Sequence, residues 1–165
     1  VVILKENIKK KLLKDSKMIS FKNRLNIADH IKKNSWFSIG LATVSEIDKY
    51  NILNASMLSM ERAVNKLKKK PDLYLIDGIH APKKMKNFKT IIKGDQKIKC
   101  ISAESIVAKV YRDLYMIKLS RRFPSYKWHK NFGYGTFQHL NALKKFGVTS
   151  YHRRSYKPVH NILSK

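Results

Sequence analysis

Hydrophobic and polar positions change period several times along the chain, and the changes mark out its elements. The opening "VVIL", Val1 to Leu4, is a short β-rich run that predicts a strand. From Phe21 the spacing becomes helical: Leu25, Ala28 and Ile31 share one face of "FKNRLNIADHIKKN", and Ser20 stands where an N-cap is needed. The stretch "WFSIGLATV" returns to aromatic and β-branched residues and predicts a second strand. Ser45, with Asp48 three residues on, resembles a capping box. The stripe Leu53, Met57, Met60, Val64 and Leu67 then predicts a long helix, closed before Pro71. Two further strands follow, "LYLID" and "FKTIIK", and a helix from about Ser102 in which Ala103, Val107, Val110, Leu114 and Ile117 repeat the four-three spacing. Beyond Phe123 come loops, "GYGT", a helix capped by Thr136 and a basic tail, "YHRRSYKPV".

Strands alternating with helices predict an α/β fold, a sheet flanked by helices. No repeat or low-complexity linker divides it. Residues 1–122 are expected to carry the core and 123–165 to form a helical extension of the same domain.

Composition narrows the class. A chain of 165 residues with 43% hydrophobic and 10% aromatic content can bury a core and is not a disordered segment. Its 36 Lys plus Arg against 11 Asp plus Glu give a formal charge of +25. Such a field attracts polyanions and opposes self-association, so nucleic acid is the leading partner and a monomer the expected state. A lysine-rich surface that binds nothing is the plainer alternative. Cys100 is the single cysteine, which excludes an internal disulfide and a cysteine zinc site and fits a reducing cytoplasm. The four apolar residues at the start are too few for a secretory segment or a membrane span, so no membrane role is expected. They read like a strand entered midway, which raises the expectation of a segment preceding Val1.

In so basic a chain each acid invites a reason. Glu46 and Asp48 suit the first turn of a helix, where negative charge meets the macrodipole, and Asp29 and Glu61 fall on polar helix faces. Asp77 and Asp95 differ, because each follows an apolar strand and adjoins a glycine. Strand ends are where an open sheet presents its ligands. Two carboxylates side by side repel unless a cation lies between them, and hard oxygen donors suit Mg2+ or Mn2+. Asp beside Gly is also a common turn pair, which explains each position without a metal. His80, His129, His139 and His152 follow no zinc spacing and are expected at the surface or satisfied internally. His152, Arg153 and Arg154 are expected to meet phosphate or to cap the helical tail.

"LIDG", "KGD", "ISAESIVAKVYRD", "GYGT", "HRRSYKPV", "EIDKYNIL" with "RAV", and "DSK" occur in the order found in bacterial ribonuclease HII, and the chain resembles that family from Val1 to about Val159. The resemblance implies a ribonuclease H-like mixed sheet flanked by helices. It implies an endoribonuclease that hydrolyses the RNA strand of RNA–DNA hybrids and nicks 5′ of ribonucleotides embedded in DNA, by water attack assisted by Mn2+ or Mg2+. By position, Asp77 and Asp95 resemble catalytic metal ligands, and Tyr134 the aromatic that packs on the deoxyribose beyond the ribonucleotide. Ser16 and Lys17 resemble residues that contact or support the nucleic acid backbone, and Arg153 and Arg154 are expected on phosphates.

The sequence also departs from the family. The family's first strand, with an Asp-Glu pair and Gly-Arg-Gly, is not found here, so the first strand is expected to be missing, two of four carboxylates with it. Its absence would leave "LYLID" short of a ladder partner. A catalytically inactive basic nucleic acid-binding fragment is therefore the alternative. Ile79 stands in a position that is usually Asn, "NFG", Asn131 to Gly133, replaces the usual "HKG", and Glu104 replaces a small residue. Near the expected helix start, Glu104 is expected to favour the macrodipole rather than act as a replacement metal ligand.

Overall fold

A computed structural model describes residues 1–6, 8–13 and 19–164. They fall into two compact units, Val1–Leu41 with Ser56–Val110, and Ala42–Ala55 with Tyr111–Lys165.

In the first unit β1 (Val2–Leu4) pairs antiparallel with β2 (Ser35–Phe37), Val2 opposite Phe37. The connecting helix α1 (Phe21–Lys33) opens as its sequence predicts, the Ser20 hydroxyl accepting the Asn23 N–H at 3.4 Å. β2 is shorter than the nine-residue run. Past Phe37 the chain packs on helix α2 (Val44–Lys66) instead of pairing: the Ser38 hydroxyl donates to the Ala63 carbonyl at 2.6 Å, and a Cβ on Gly40 would lie 1.9 Å from the Ser59 carbonyl oxygen.

The cap of α2 is Thr43, two residues before the expected Ser45. Thr43 Oγ1 accepts the Glu46 N–H at 3.3 Å and Glu46 Oε2 accepts the Thr43 N–H at 2.8 Å, a reciprocal box. The helix breaks at Asn51 (φ 66°), whose Oδ1 accepts the Asn54 N–H at 3.0 Å and starts the helix afresh. That break interrupts the predicted stripe: Leu53 is exposed while Leu67 is buried.

β3 (Tyr74–Asp77) and β4 (Phe88–Ile91) pair in parallel, Asp77 opposite Ile91. Both pairing directions of a mixed sheet are thus present, divided among the described residues between two two-stranded ladders. A short helix, α3 (Gly94–Lys97), leads into α4 (Lys99–Arg122), which begins three residues before the expected Ser102. Ala28 and Ile31 of α1 share one core with Ala103, Ile106, Val107 and Val110 of α4. Each large aliphatic buried there contributes roughly 1.5–3 kcal/mol. The predicted α4 stripe stops being buried at Leu114, which is exposed.

The second unit is helical. After α4 come α5 (Trp128–Asn131), α6 (Phe137–Phe146) and α7 (Lys157–Leu163). Thr136 caps α6 as expected, accepting the His139 N–H at 3.3 Å. Leu119, Tyr126, Trp128, Leu143 and Val159 form its core. No helix among the described residues is long and apolar enough to cross a membrane.

Candidate functional site

The apolar run of β3 ends on Asp77, exposed because the chain leaves the ladder at Gly78 through a left-handed backbone (φ 95°) that glycine adopts freely. The Gly78 N–H still donates to the Ile91 carbonyl at 2.9 Å, and Gly78 is where pairing ends. On the β4 side the chain turns through Lys93 (φ 56°) into α3. The first amide of that helix, Gly94, donates to Asp77 Oδ1 at 2.7 Å. This charge-assisted bond spans 17 positions and ties the bend after Asp77 to the start of α3. Asp95, the next residue, is buried to 8% exposure. It lies in the first turn of α3 rather than at the end of β4, since the left-handed Lys93 ends the strand early.

A third acid lies in the same field. α4 begins at Lys99, so Glu104 sits beyond its first turn and does not serve the macrodipole. Its Oε1 is 3.9 Å from the Val1 amino nitrogen. Loss of solvent around the carboxylate raises its pKa above the ordinary value, the Val1 ammonium opposes this, and the charge of Asp77 adds to it.

Among the described residues no three or more His, Cys, Asp or Glu side chains converge on a point that could hold an ion. Asp77 and Asp95 are hard-oxygen donors on the strand end and the turn that the Gly94–Asp77 bond joins. Mg2+ takes one or two such protein carboxylates and fills the rest of its shell with water and phosphate oxygens.

In the second unit Tyr134 is 56% exposed, which excludes a core tyrosine. Its backbone is held at both ends: its N–H donates to the Asn131 carbonyl at 2.8 Å, and its carbonyl accepts the Thr136 N–H at 2.8 Å, with His139 Nδ1 at 2.9 Å. Asn131, the first residue of "NFG", is buried and secures this loop. Its Nδ2 donates to the Tyr126 carbonyl and its Oδ1 accepts the Gly133 N–H, both at 2.8 Å. Arg112 of α4 donates to the Phe132 carbonyl at 2.8 Å and carries its guanidinium 5.1 Å from the Tyr134 ring centroid. Sequence reasoning passed over Arg112, although it lies inside "KVYRD", a stretch that carries the family resemblance.

Asp48 was also misread. Its Oδ2 accepts the Arg154 N–H at 3.0 Å, and its Oδ1 accepts the Ser155 N–H at 2.9 Å and the Ser155 hydroxyl at 2.6 Å. Partial burial alone would raise its pKa, but the Ser155 hydroxyl and amide, the Arg154 amide and the charge of Arg153 together hold it below the ordinary value. The tail bearing Arg153 and Arg154 is thereby anchored. The Arg153 guanidinium lies 5.3 Å from the Tyr156 ring centroid, and Arg154 is exposed.

The expectation that His152 meets phosphate or caps the tail is corrected. At 7% exposure it faces inward, and its Nδ1 accepts the Thr149 N–H at 3.0 Å. Asp77 and Asp95 lie together in the first unit, and Tyr134, Arg153 and Arg154 in the second. Ser16 and Lys17 lie outside the described residues.

Comparison with known proteins follows the same lines. The family profile described as Ribonuclease HII matches residues 2–159. A "Ribonuclease HII" of Pelagibacter ubique is 53% identical over 164 residues, covering 98% of this chain and 88% of that protein. One of a Wolbachia strain from Brugia malayi is 44% identical over 161 residues, covering 98% and 79%. The crystal structure of ribonuclease H2 from Pyrococcus horikoshii superposes with a TM-score of 0.80 at 21% identity, covering 98% of this chain and 86% of that one. The ribonuclease HII chain in a complex with PCNA from Archaeoglobus fulgidus gives 0.75 at 19%, covering 99% and 87%. At such identities these two likenesses speak to fold, which is α/β and ribonuclease H-like.

Proposed function

This chain belongs to the ribonuclease HII family, and we propose that it is an endoribonuclease that hydrolyses the RNA strand of RNA–DNA hybrids and nicks DNA 5′ of an embedded ribonucleotide. The observation that carries the proposal is the 2.7 Å bond from the Gly94 amide to Asp77, which draws the turn bearing Asp95 to the strand end bearing Asp77. Asp77 and Asp95 would hold Mg2+ or Mn2+. Such an ion lowers the pKa of bound water and neutralises charge at the scissile phosphate.

The chain's own residues do the remaining work. The exposed ring of Tyr134, fixed at its backbone, packs on the deoxyribose after the ribonucleotide, where a flat apolar face favours a sugar without a 2′-hydroxyl. Arg153 and Arg154, with Ser16 and Lys17, engage backbone phosphates, and the +25 charge attracts the duplex. The same charge and the single free cysteine support a monomer acting in a reducing cytoplasm.

The test is strand cleavage on three duplexes: one with a single ribonucleotide, a uniform hybrid and all-DNA. It is run with Mn2+, Mg2+ or chelator, on the chain as given and on the chain prefixed with an Asp-Glu-x-Gly-Arg-Gly strand. Metal-dependent nicking of the ribonucleotide-containing duplexes by either form supports the proposal. Tight binding with no nicking by either form overturns it in favour of a non-catalytic nucleic acid-binding module.

A further inference from the structure

Three buried rings stand behind the Tyr134 loop, and their hydrogens can be assigned. The Thr149 backbone N–H can only donate and lies 3.0 Å from His152 Nδ1, with the Thr149 hydroxyl 2.9 Å from the same nitrogen; with Nδ1 accepting from Thr149, a neutral His152 carries its hydrogen on Nε2. The Trp128 indole N–H can only donate, and it lies 3.1 Å from His139 Nε2, so His139 carries its hydrogen on Nδ1. That hydrogen points at the Tyr134 carbonyl, 2.9 Å away. The remaining contact closes the chain: His152 Nε2–H, 3.2 Å from His139 Nε2, shares that nitrogen's single lone pair with the Trp128 indole N–H. Donation thus runs in one direction, from Thr149 through His152 and His139 to Tyr134. A proton gained at His139 Nε2 would face the Trp128 indole N–H, which can only donate.

We propose that the His139–His152 pair is a positioning device for Tyr134, holding the aromatic ring where it discriminates deoxyribose from ribose beyond the cleaved position. This rests on the reading of Tyr134 as the sugar-contacting residue. The pair is enclosed by Tyr126 and Trp128, whose rings lie 4.9 and 5.2 Å from that of His152. Burial lowers the pKa of His139, and burial with repulsion from His139 lowers that of His152 to about 4, so both rings are neutral at pH 7. A neutral pair keeps the Nδ1 donor of His139 directed at the carbonyl rather than distributing it with pH.

The test compares two substitutions of one side chain. Asn places an amide N–H near the Nδ1 position, and Gln places its amide near Nε2 and leaves the Tyr134 carbonyl without that donor. Anisotropy titrations measure the affinity of His139→Asn, His139→Gln, Tyr134→Ala and the unaltered protein for a duplex with one ribonucleotide followed by DNA, and for the uniform hybrid. The ratio of the two affinities is the readout. Tyr134→Ala should collapse the ratio; an unchanged ratio would mean that the Tyr134 reading itself has failed. Given that collapse, His139→Gln should lower the ratio by about three- to tenfold, the worth of one hydrogen bond, and His139→Asn should restore most of it. Equal ratios for Gln, Asn and unaltered protein would overturn the positioning role. Imidazole 15N spectra of the unaltered protein at pH 7 supply a second test. They should show the Nδ1–H tautomer for His139 and Nε2–H for His152, and a charged ring or reversed tautomers would overturn the proposal even if the variants do not fold.

Discussion

Asp48 accepts both hydrogens that Ser155 can offer, the amide at 2.9 Å and the hydroxyl at 2.6 Å, from 107 positions away. A charged acceptor with three donors from Arg154 and Ser155 is a strong local anchor. Asp48→Ala should cost about 0.5–1.5 kcal/mol of stability at pH 7, because the bonds it removes are open to solvent, and should weaken duplex binding by loosening the segment that bears Arg153 and Arg154. The sign with pH follows from the lowered pKa. The carboxylate's contribution is complete above the ordinary value of 3.8 and is lost as pH falls through the still lower folded value. Denaturant midpoints should therefore converge for the unaltered protein and Asp48→Ala in strong acid.

The histidine pair gives the opposite end of the same logic. His152 titrates at about 4 when folded and at 6.5 when free, so the unfolded chain binds more protons in between. Its contribution is complete above 6.5 and falls away as pH drops toward 4, by roughly 3 kcal/mol. The groups facing it are Tyr126, Trp128, His139 and Thr149, none of which supplies a counter-charge. His152→Leu should flatten the stability profile across that window in chemical denaturation, whatever it does to the absolute value.

Gly40 presses on the backbone of α2, where an added Cβ would fall 1.9 Å from Ser59 O and 2.6 Å from Ala63 N. Backbone cannot yield as a side-chain end does, so Gly40→Ala should cost about 3 kcal/mol. Gly147 (φ 78°, ψ −162°) has open space around it but a backbone conformation essentially confined to glycine, and Gly147→Ala should cost about 1–3 kcal/mol from strain alone. Thermal melting of both variants measures the two costs side by side.

Charge predicts its own titration. Each phosphate neutralised by Lys or Arg releases counterions, so log affinity for duplex should fall linearly with log salt. A double Arg153→Ala, Arg154→Ala variant should reduce that slope by about 1–2. A slope unchanged by the double substitution would remove these two residues from the interface.

Much of this was legible in the residues. Ser20 and Thr136 cap their helices because a hydroxyl before an apolar-periodic run has one obvious use. The Thr43 cap was missed because "TVSEID" holds two overlapping box patterns, and the Asp48 carboxylate that would complete the wrong one is drawn instead to a tail over a hundred positions away. The nine-residue strand was misread because Ser38 and Gly40 pack on a helix, and apolar content alone does not separate packing from pairing. Asp77 and Asp95 stood out as acids beside glycines in a basic chain. Local pattern could not show that Gly94 donates to Asp77, nor that two histidines 13 positions apart meet ring to ring.

Mapping the ends of the cut separates metal-assisted water attack supported by Asp77 and Asp95 from attack by the ribonucleotide's own 2′-hydroxyl. The N-terminally extended chain is incubated with Mn2+ and a duplex holding one ribonucleotide, beside its Asp77→Asn and Asp95→Asn variants. Water attack breaks the phosphorus bond to the preceding 3′-oxygen. The expected products are a 3′-hydroxyl on the upstream DNA and a 5′-phosphate on the ribonucleotide, with both variants losing at least about a hundredfold in rate, a loss on the scale of removing one catalytic charge contact. A cut on the other side of the ribonucleotide ending in a 2′,3′-cyclic phosphate, or unchanged cutting by either variant, would contradict that mechanism.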